Sequence, residues 1–114
     1  MSIIKSFKDA ISGIINTIPT ERNLKIQVIT MIFVIAAGLI VRLSSIEWII
    51  CIIVFGLVIS AELFNTAIEK TLDYINEDYC DEFKFIKDAS AAAVLVLAIA
   101  SAIIGLIIFV PKLI

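Results

Sequence analysis

Apolar positions fall into three long runs preceded by one periodic stretch. Ala89–Val110 is 22 residues without a charge, and Ile26–Val41 is 16, bracketed by Lys25 and Arg42. A further run is uncharged from Trp48 to Ala61 and continues with helical spacing past Glu62. A helix needs about 20 apolar residues to cross the ~30 Å hydrocarbon layer of a bilayer. The longest run meets that requirement, and the 16-residue run is completed by the stems of Lys25 and Arg42. The N-terminal stretch differs. Ile3, Ile4, Phe7, Ile11, Ile14, Ile15 and Ile18 share an arc of about 120°, with Lys5, Lys8, Asp9, Ser12 and Asn16 on the other side. This predicts an amphipathic helix lying in the membrane interface and ended by Pro19. Its charges interrupt the apolar positions, unlike the contiguous core of a secretory signal. Thr20 is the expected N-cap of the next helix, with Glu21 in its first turn. Leu43–Glu47 is short enough to make the first two spans an antiparallel hairpin, and Asn76–Asp81 reads as a polar turn. The expected architecture is an all-α membrane protein, one domain over residues 1–114. It places an interfacial helix at 1–19 and spans at 24–43, at 47–73 with a cytoplasmic extension, and at 87–110.

Composition supports a membrane protein. The chain is 61% hydrophobic with a mean hydropathy of +1.12, where soluble domains are about 45–50% apolar. Lys5, Lys8, Arg22, Lys25, Lys70, Lys84 and Lys87 fall on one side of the expected topology, against Arg42 and Lys112 on the other. By the positive-inside rule the N-terminus and the second connection are cytoplasmic. The net charge of −2 reflects acids clustered at Asp73–Asp88, an arrangement that disfavours nucleic acid. Cys51 and Cys80 lie at different levels, so no disulfide framework is expected. The chain has no histidine, which excludes Ser-His and Cys-His nucleophiles and removes the commonest zinc ligand.

One polar stripe interrupts the apolar pattern. Glu62, Asn65, Glu69 and Asp73 are spaced 3, 4 and 4 apart, within an arc of roughly 80° on a helix. A carboxylate at the bilayer centre costs about 2.5–3.5 kcal/mol on insertion scales, so a chain that keeps one beside three more polar groups is using them. Glu62 and Glu69 stand about 10 Å apart along the axis, too far to ligate one metal ion together easily. Glu21, at the mouth of the first span, is placed to approach Glu69, and two carboxylates with nucleotide phosphates are the usual means of holding Mg²⁺. Lys87 is placed to meet phosphates as a point charge, and Asp88 to orient Lys87 or contact a ribose. Gly13, Gly38, Gly56 and Gly105 are isolated, so no phosphate-binding glycine loop exists. Two other readings stand beside catalysis: a small proton-coupled transporter and a non-catalytic assembly subunit. Asn65 and Asp73 taken singly are as compatible with structural roles, Trp48 with an interfacial aromatic, and Cys51 with an apolar filler.

The string Glu62-Leu-Phe-Asn65-Thr-Ala-Ile-Glu69-Lys-Thr-Leu-Asp73, with the later Lys87-Asp88, resembles the prokaryotic diacylglycerol kinase family. Thr20-Glu21-Arg22-Asn23 and the Phe7, Ala10, Gly13 pattern are similar to its Gram-positive undecaprenol kinase branch. The resemblance covers nearly the whole chain. It implies a homotrimer of three-span subunits in the bacterial inner membrane, with active sites shared between neighbours. It implies transfer of the ATP γ-phosphoryl to a lipid hydroxyl with Mg²⁺, the lipid being undecaprenol or, alternatively, diacylglycerol. By matching positions it makes Glu62 the general base, Glu21 and Glu69 the metal ligands, and Asn65 and Asp73 supports of the site. It brings Asp78, Tyr79, Cys80, Lys87 and Asp88 to the nucleotide. Cys80 and Gln27 stand where relatives commonly carry histidine.

Overall fold

The computed structural model describes residues 2–75 and 80–114. Four helices follow one another: α1 (Ile3–Thr17), α2 (Arg22–Val41), α3 (Ser45–Ile75) and α4 (Asp81–Leu113). Helix α1 begins where the Ser2 hydroxyl accepts the Lys5 N–H at 3.1 Å. Lys5 and Asp9 pair one turn apart at 3.0 Å, and the helix is exposed as far as Asn16. Pro19 then sits in a short 3₁₀ turn, Ile18–Thr20.

That turn corrects the expected cap of α2. The Thr20 hydroxyl donates back to the Thr17 carbonyl at 2.9 Å, so it is committed to the proline turn. The N-cap position falls one residue later, on Glu21, whose backbone is extended at φ −115°. Its carboxylate makes no capping hydrogen bond among the described residues, yet it lies at the helix end that favours negative charge.

Helix α2 has 20 residues, about 30 Å at 1.5 Å each, the thickness of the hydrocarbon layer. Helices α3 and α4 have 31 and 33 residues and are longer than that layer is thick. Among the described residues these three helices are long and apolar enough to cross a membrane. The helices overrun the expected spans: α3 starts at Ser45 rather than 47, and α4 takes in Asp81, expected in a turn, and continues through Pro111. Helix α3 packs against both α2 and α4.

The α2–α3 corner is tighter than the expected five-residue link. Arg42 takes a left-handed conformation at φ 60°, and the Leu43 N–H reaches back to the Gly38 carbonyl at 3.1 Å. Ser44 and Glu47 then cap α3 reciprocally. The Glu47 carboxylate accepts the Ser44 N–H at 2.9 Å and the Ser44 hydroxyl accepts the Glu47 N–H at 3.2 Å, a capping box. The same carboxylate pairs with Lys112 at 3.0 Å and ties the end of α4 to the corner. Trp48 does more here than sit at an interface. A Cβ placed on Gly38 would come within 2.7 Å of its ring, so the glycine is what lets the helices close. Leu43, Cys51 and Ile108 are buried beside Trp48, Phe55 and Phe109, and Cys51 fills this core as a small apolar group. Most other large apolar side chains face outward, Ile40 at 81% and Phe33 at 71% exposed, as a protein solvated by lipid requires.

Candidate active site

At the opposite end of the bundle, the polar stripe of α3 turns inward. Glu62 is only 2% exposed, and Asn65 and Thr66 are each 5% exposed. The helical period places Glu62, Asn65 and Glu69 on one face, and all three line a cleft of about 360 Å³. Asn23 and Gln27 of α2 line it from one side, and Ala91 and Ala98 of α4 from the other. The small alanines leave room for a ligand between α3 and α4.

The hydrogen bonding inside this cleft is incomplete. The Asn65 amide donates to the Glu69 carboxylate at 3.0 Å, which fixes Glu69 one turn from Asn65. The Glu62 Oε2, Asn65 Oδ1 and Gln27 Oε1 atoms are buried with no hydrogen-bond partner among the described residues. Folded proteins pair nearly all such groups, and the exceptions mark strain, catalysis or a missing ligand. Three orphaned acceptors around one cleft make a site that invites donors such as a hydroxyl. The Thr66 hydroxyl is also buried and unpartnered among the described residues, though Thr66 does not line the cleft.

Glu21 approaches from the start of α2. Its carboxylate is 3.7 Å from the Lys70 ammonium, next along α3 from Glu69, though Glu21 itself does not line the cleft. The acids foreseen as a group are therefore gathered by α2 and α3 at one end of the chain. Among the described residues no group of three or more acids or thiols is arranged to hold a metal. The donor set still fits Mg²⁺, which is commonly held by one or two carboxylates together with substrate phosphates and water. Glu69 keeps lone pairs beyond the one given to Asn65, and Glu21 already attracts a cation in Lys70.

The Lys-Asp pair behaves differently from its expected arrangement. Lys87 pairs with Asp73 across α3 and α4 at 2.7 Å, while Asp88 pairs with Lys84 one turn away. Asp88 is thus oriented toward Lys84, because i and i+4 positions meet on a helix and neighbours do not. Asp73 is brought to Lys87 rather than into the buried cleft. Cys80 is the N-cap of α4 and makes no side-chain cap bond among the described residues. Asp78 and Tyr79 lie outside the described residues.

The sequence reading did not place Asn23 and Gln27 in the cleft. Their spacing of four on a span otherwise apolar was the available signal, but it does not say which way α2 faces.

An all-helical membrane protein with Glu21, Glu62 and Glu69 at one end of three spanning-length helices is the class defined by this geometry. A family model described as prokaryotic diacylglycerol kinase matches residues 8–109, and the chain belongs to that family. It is 47% identical over 109 residues to an undecaprenol kinase of Bacillus subtilis, covering 96% of this chain and 89% of that one. It is 34% identical over 113 residues to a diacylglycerol kinase of Synechocystis, covering 98% of this chain and 65% of the relative.

Proposed function

We propose that this chain is a membrane lipid kinase that transfers the γ-phosphoryl group of ATP to the hydroxyl of undecaprenol. The observation that carries the reading is the buried Glu62 carboxylate, unpartnered at Oε2, in a cleft that an alcohol can enter. Membership of the family and the similarity to the Bacillus enzyme supply the reaction class and the acceptor. Diacylglycerol is the second acceptor to consider, because the Synechocystis relative carries that name.

Phosphoryl transfer passes through a loose transition state, so positioning and charge neutralisation carry most of the catalysis. In this reading the lipid hydroxyl enters beside Glu62, which accepts its proton as the new oxygen–phosphorus bond forms and the bond to the ADP leaving group breaks. Such a base contributes typically 10²–10⁴-fold. Asn65 holds Glu69 in place through the 3.0 Å bond from its amide. Glu21 and Glu69 are the residues that would hold Mg²⁺, whose chemistry is to neutralise charge on the β- and γ-phosphates. Lys87, steadied by Asp73, meets the phosphates. Asp78, Tyr79, Cys80 and Asp88 complete the nucleotide contacts.

The same reading covers the setting. Residues 1–114 form one membrane domain in the bacterial inner membrane, with α1 lying in the interface and spans at 24–43, 47–73 and 87–110. Seven of nine cations on one side support a cytoplasmic N-terminus and active site. Three spans are too few to enclose a lipid and a nucleotide alone, which supports an oligomer, and the family resemblance supports a trimer with shared sites.

Purified protein in liposomes, given γ-labelled ATP with undecaprenol and diacylglycerol in competition, tests the reading. Labelled undecaprenyl phosphate is the expected product. Preferred labelling of diacylglycerol would change the acceptor, and no lipid-dependent ATP consumption would return the chain to the transporter or assembly-subunit class.

A further inference from the structure

Glu21 is paired with a cation of the chain itself. Its carboxylate lies 3.7 Å from the Lys70 ammonium and makes no capping hydrogen bond among the described residues. The lysine nearer in sequence is passed over. Lys25, one turn into α2, gives its backbone N–H to the Glu21 carbonyl at 3.1 Å, while the carboxylate meets a lysine of α3. Lys70 in turn follows Glu69, whose carboxylate is held by the Asn65 amide at 3.0 Å. One ammonium therefore contacts one of the two acids suited to Mg²⁺ and neighbours the other in sequence.

The pair is easily broken. At 3.7 Å it is longer than a hydrogen bond of about 2.7–3.2 Å, so charge attraction alone holds it. The Lys70 side chain is 61% exposed and that of Glu21 24%. The lysine can therefore swing away without unpacking the bundle, whereas Glu21 is fixed at the start of α2. Lysine suits this movement, being a compact charge on a flexible stem.

Charge decides the consequence. Two carboxylates and one ammonium leave a single net negative charge, a weak attraction for an ion that gives up its water reluctantly. A polyphosphate supplies further negative charge to that ion. It also offers the displaced ammonium charge-assisted bonds in place of Glu21.

We propose that Lys70 is a positioning residue that makes metal binding depend on nucleotide. It neutralises Glu21 before nucleotide binds and passes to the polyphosphate when Mg²⁺ and ATP arrive, so the ion enters with the nucleotide rather than ahead of it. This rests on the lipid kinase reading for its nucleotide and on Glu21 and Glu69 as the residues that would hold the ion.

Two affinities test it. Full-length protein in detergent micelles is titrated with Mn²⁺ as the probe ion, followed by the electron paramagnetic resonance signal of the free ion. Lys70→Met removes the charge at an exposed position and keeps the length of the stem. Without nucleotide it is expected to tighten Mn²⁺ binding about two- to fivefold, the scale of a partly exposed ion pair. Lys70→Arg behaves as the parent, and Lys25→Met, which removes an equal charge that Glu21 does not use, leaves the affinity almost unchanged.

In saturating Mg²⁺ the sign reverses: Lys70→Met weakens binding of a fluorescent, non-hydrolysable ATP analogue by a similar factor. A lysine that merely braced α2 against α3 would not move the two affinities in opposite directions. No tightening of Mn²⁺ binding, an equal effect from Lys25→Met, an arginine variant that behaves as the methionine one, or analogue binding that is not weakened overturns the assignment. Both measurements are independent of turnover. Opposite shifts in a protein that phosphorylates no lipid would leave the role of Lys70 standing and remove the kinase reading.

Discussion

Glu62 burdens the fold that contains it. A carboxylate with 2% exposure and an unpartnered oxygen is costly at this depth, and nothing in the packing of α3 requires it. Glu62→Gln keeps the volume and removes the charge, so the variant is expected to be as stable as the parent or more so. Phosphoryl transfer falls by about 10²–10⁴-fold, while nucleotide binding survives. Melting curves, labelled-phosphate transfer and binding of a fluorescent ATP analogue check the three parts. Substantial turnover would remove Glu62 as the base. The stripe itself was readable because a 3.6-residue period permits only one face for positions 62, 65 and 69. Asn23 and Gln27 needed the rotation of α2 about its own axis, which depends on packing against α3.

Two junctions hold the helices in their relative places. At the corner, a methyl group on Gly38 would stand 2.7 Å from the Trp48 ring and 2.8 Å from the end of Leu43. The leucine end can rotate away, but the indole is rigid. Gly38→Ala is expected to cost about 1–3 kcal/mol through overpacking, partly offset by the helix preference of alanine. Pairing it with Trp48→Leu recovers most of the loss in thermal unfolding. At the other end Asp73 meets Lys87 at 2.7 Å, with side chains 64% and 30% exposed. Partly exposed pairs contribute little, about 0.2–1 kcal/mol, and Lys87 has further interactions. Asp73→Asn therefore leaves the melting temperature almost unchanged but raises the KM for ATP several-fold, because Lys87 loses its guide. A large stability loss with an unchanged KM would make the pair structural. Neither contact was legible beforehand: Trp48 read as an interfacial aromatic, and a separation of 14 residues carries no local signal.

For the whole molecule, the contacts described between the four helices are made by the chain's own groups, such as the Glu47–Lys112 and Asp73–Lys87 pairs. Chelation of divalent ions is expected to abolish turnover without altering helix content by circular dichroism, and added Mg²⁺ restores it. Helix loss on chelation would make the ion structural. The outward-facing side chains, Phe64 at 72% and Ile3 at 76% exposed among them, must be covered by lipid or by other copies. Mass measurement in a lipid-like detergent is expected to give three chains, and a stable monomer with full activity would remove the shared-site arrangement.

Hydropathy and the helical period, both properties of neighbouring residues, determined by themselves that the chain is all-helical, spans a membrane three times in length and carries its acids on one face of α3. The tertiary structure decided what those faces meet: Gln27 in one cleft with Glu62, Glu21 against Lys70, and Asp73 against Lys87. Such contacts depend on how three helices rotate and approach one another. That is settled by side chains such as Gly38 and Trp48 fitting across helices, which no local pattern encodes.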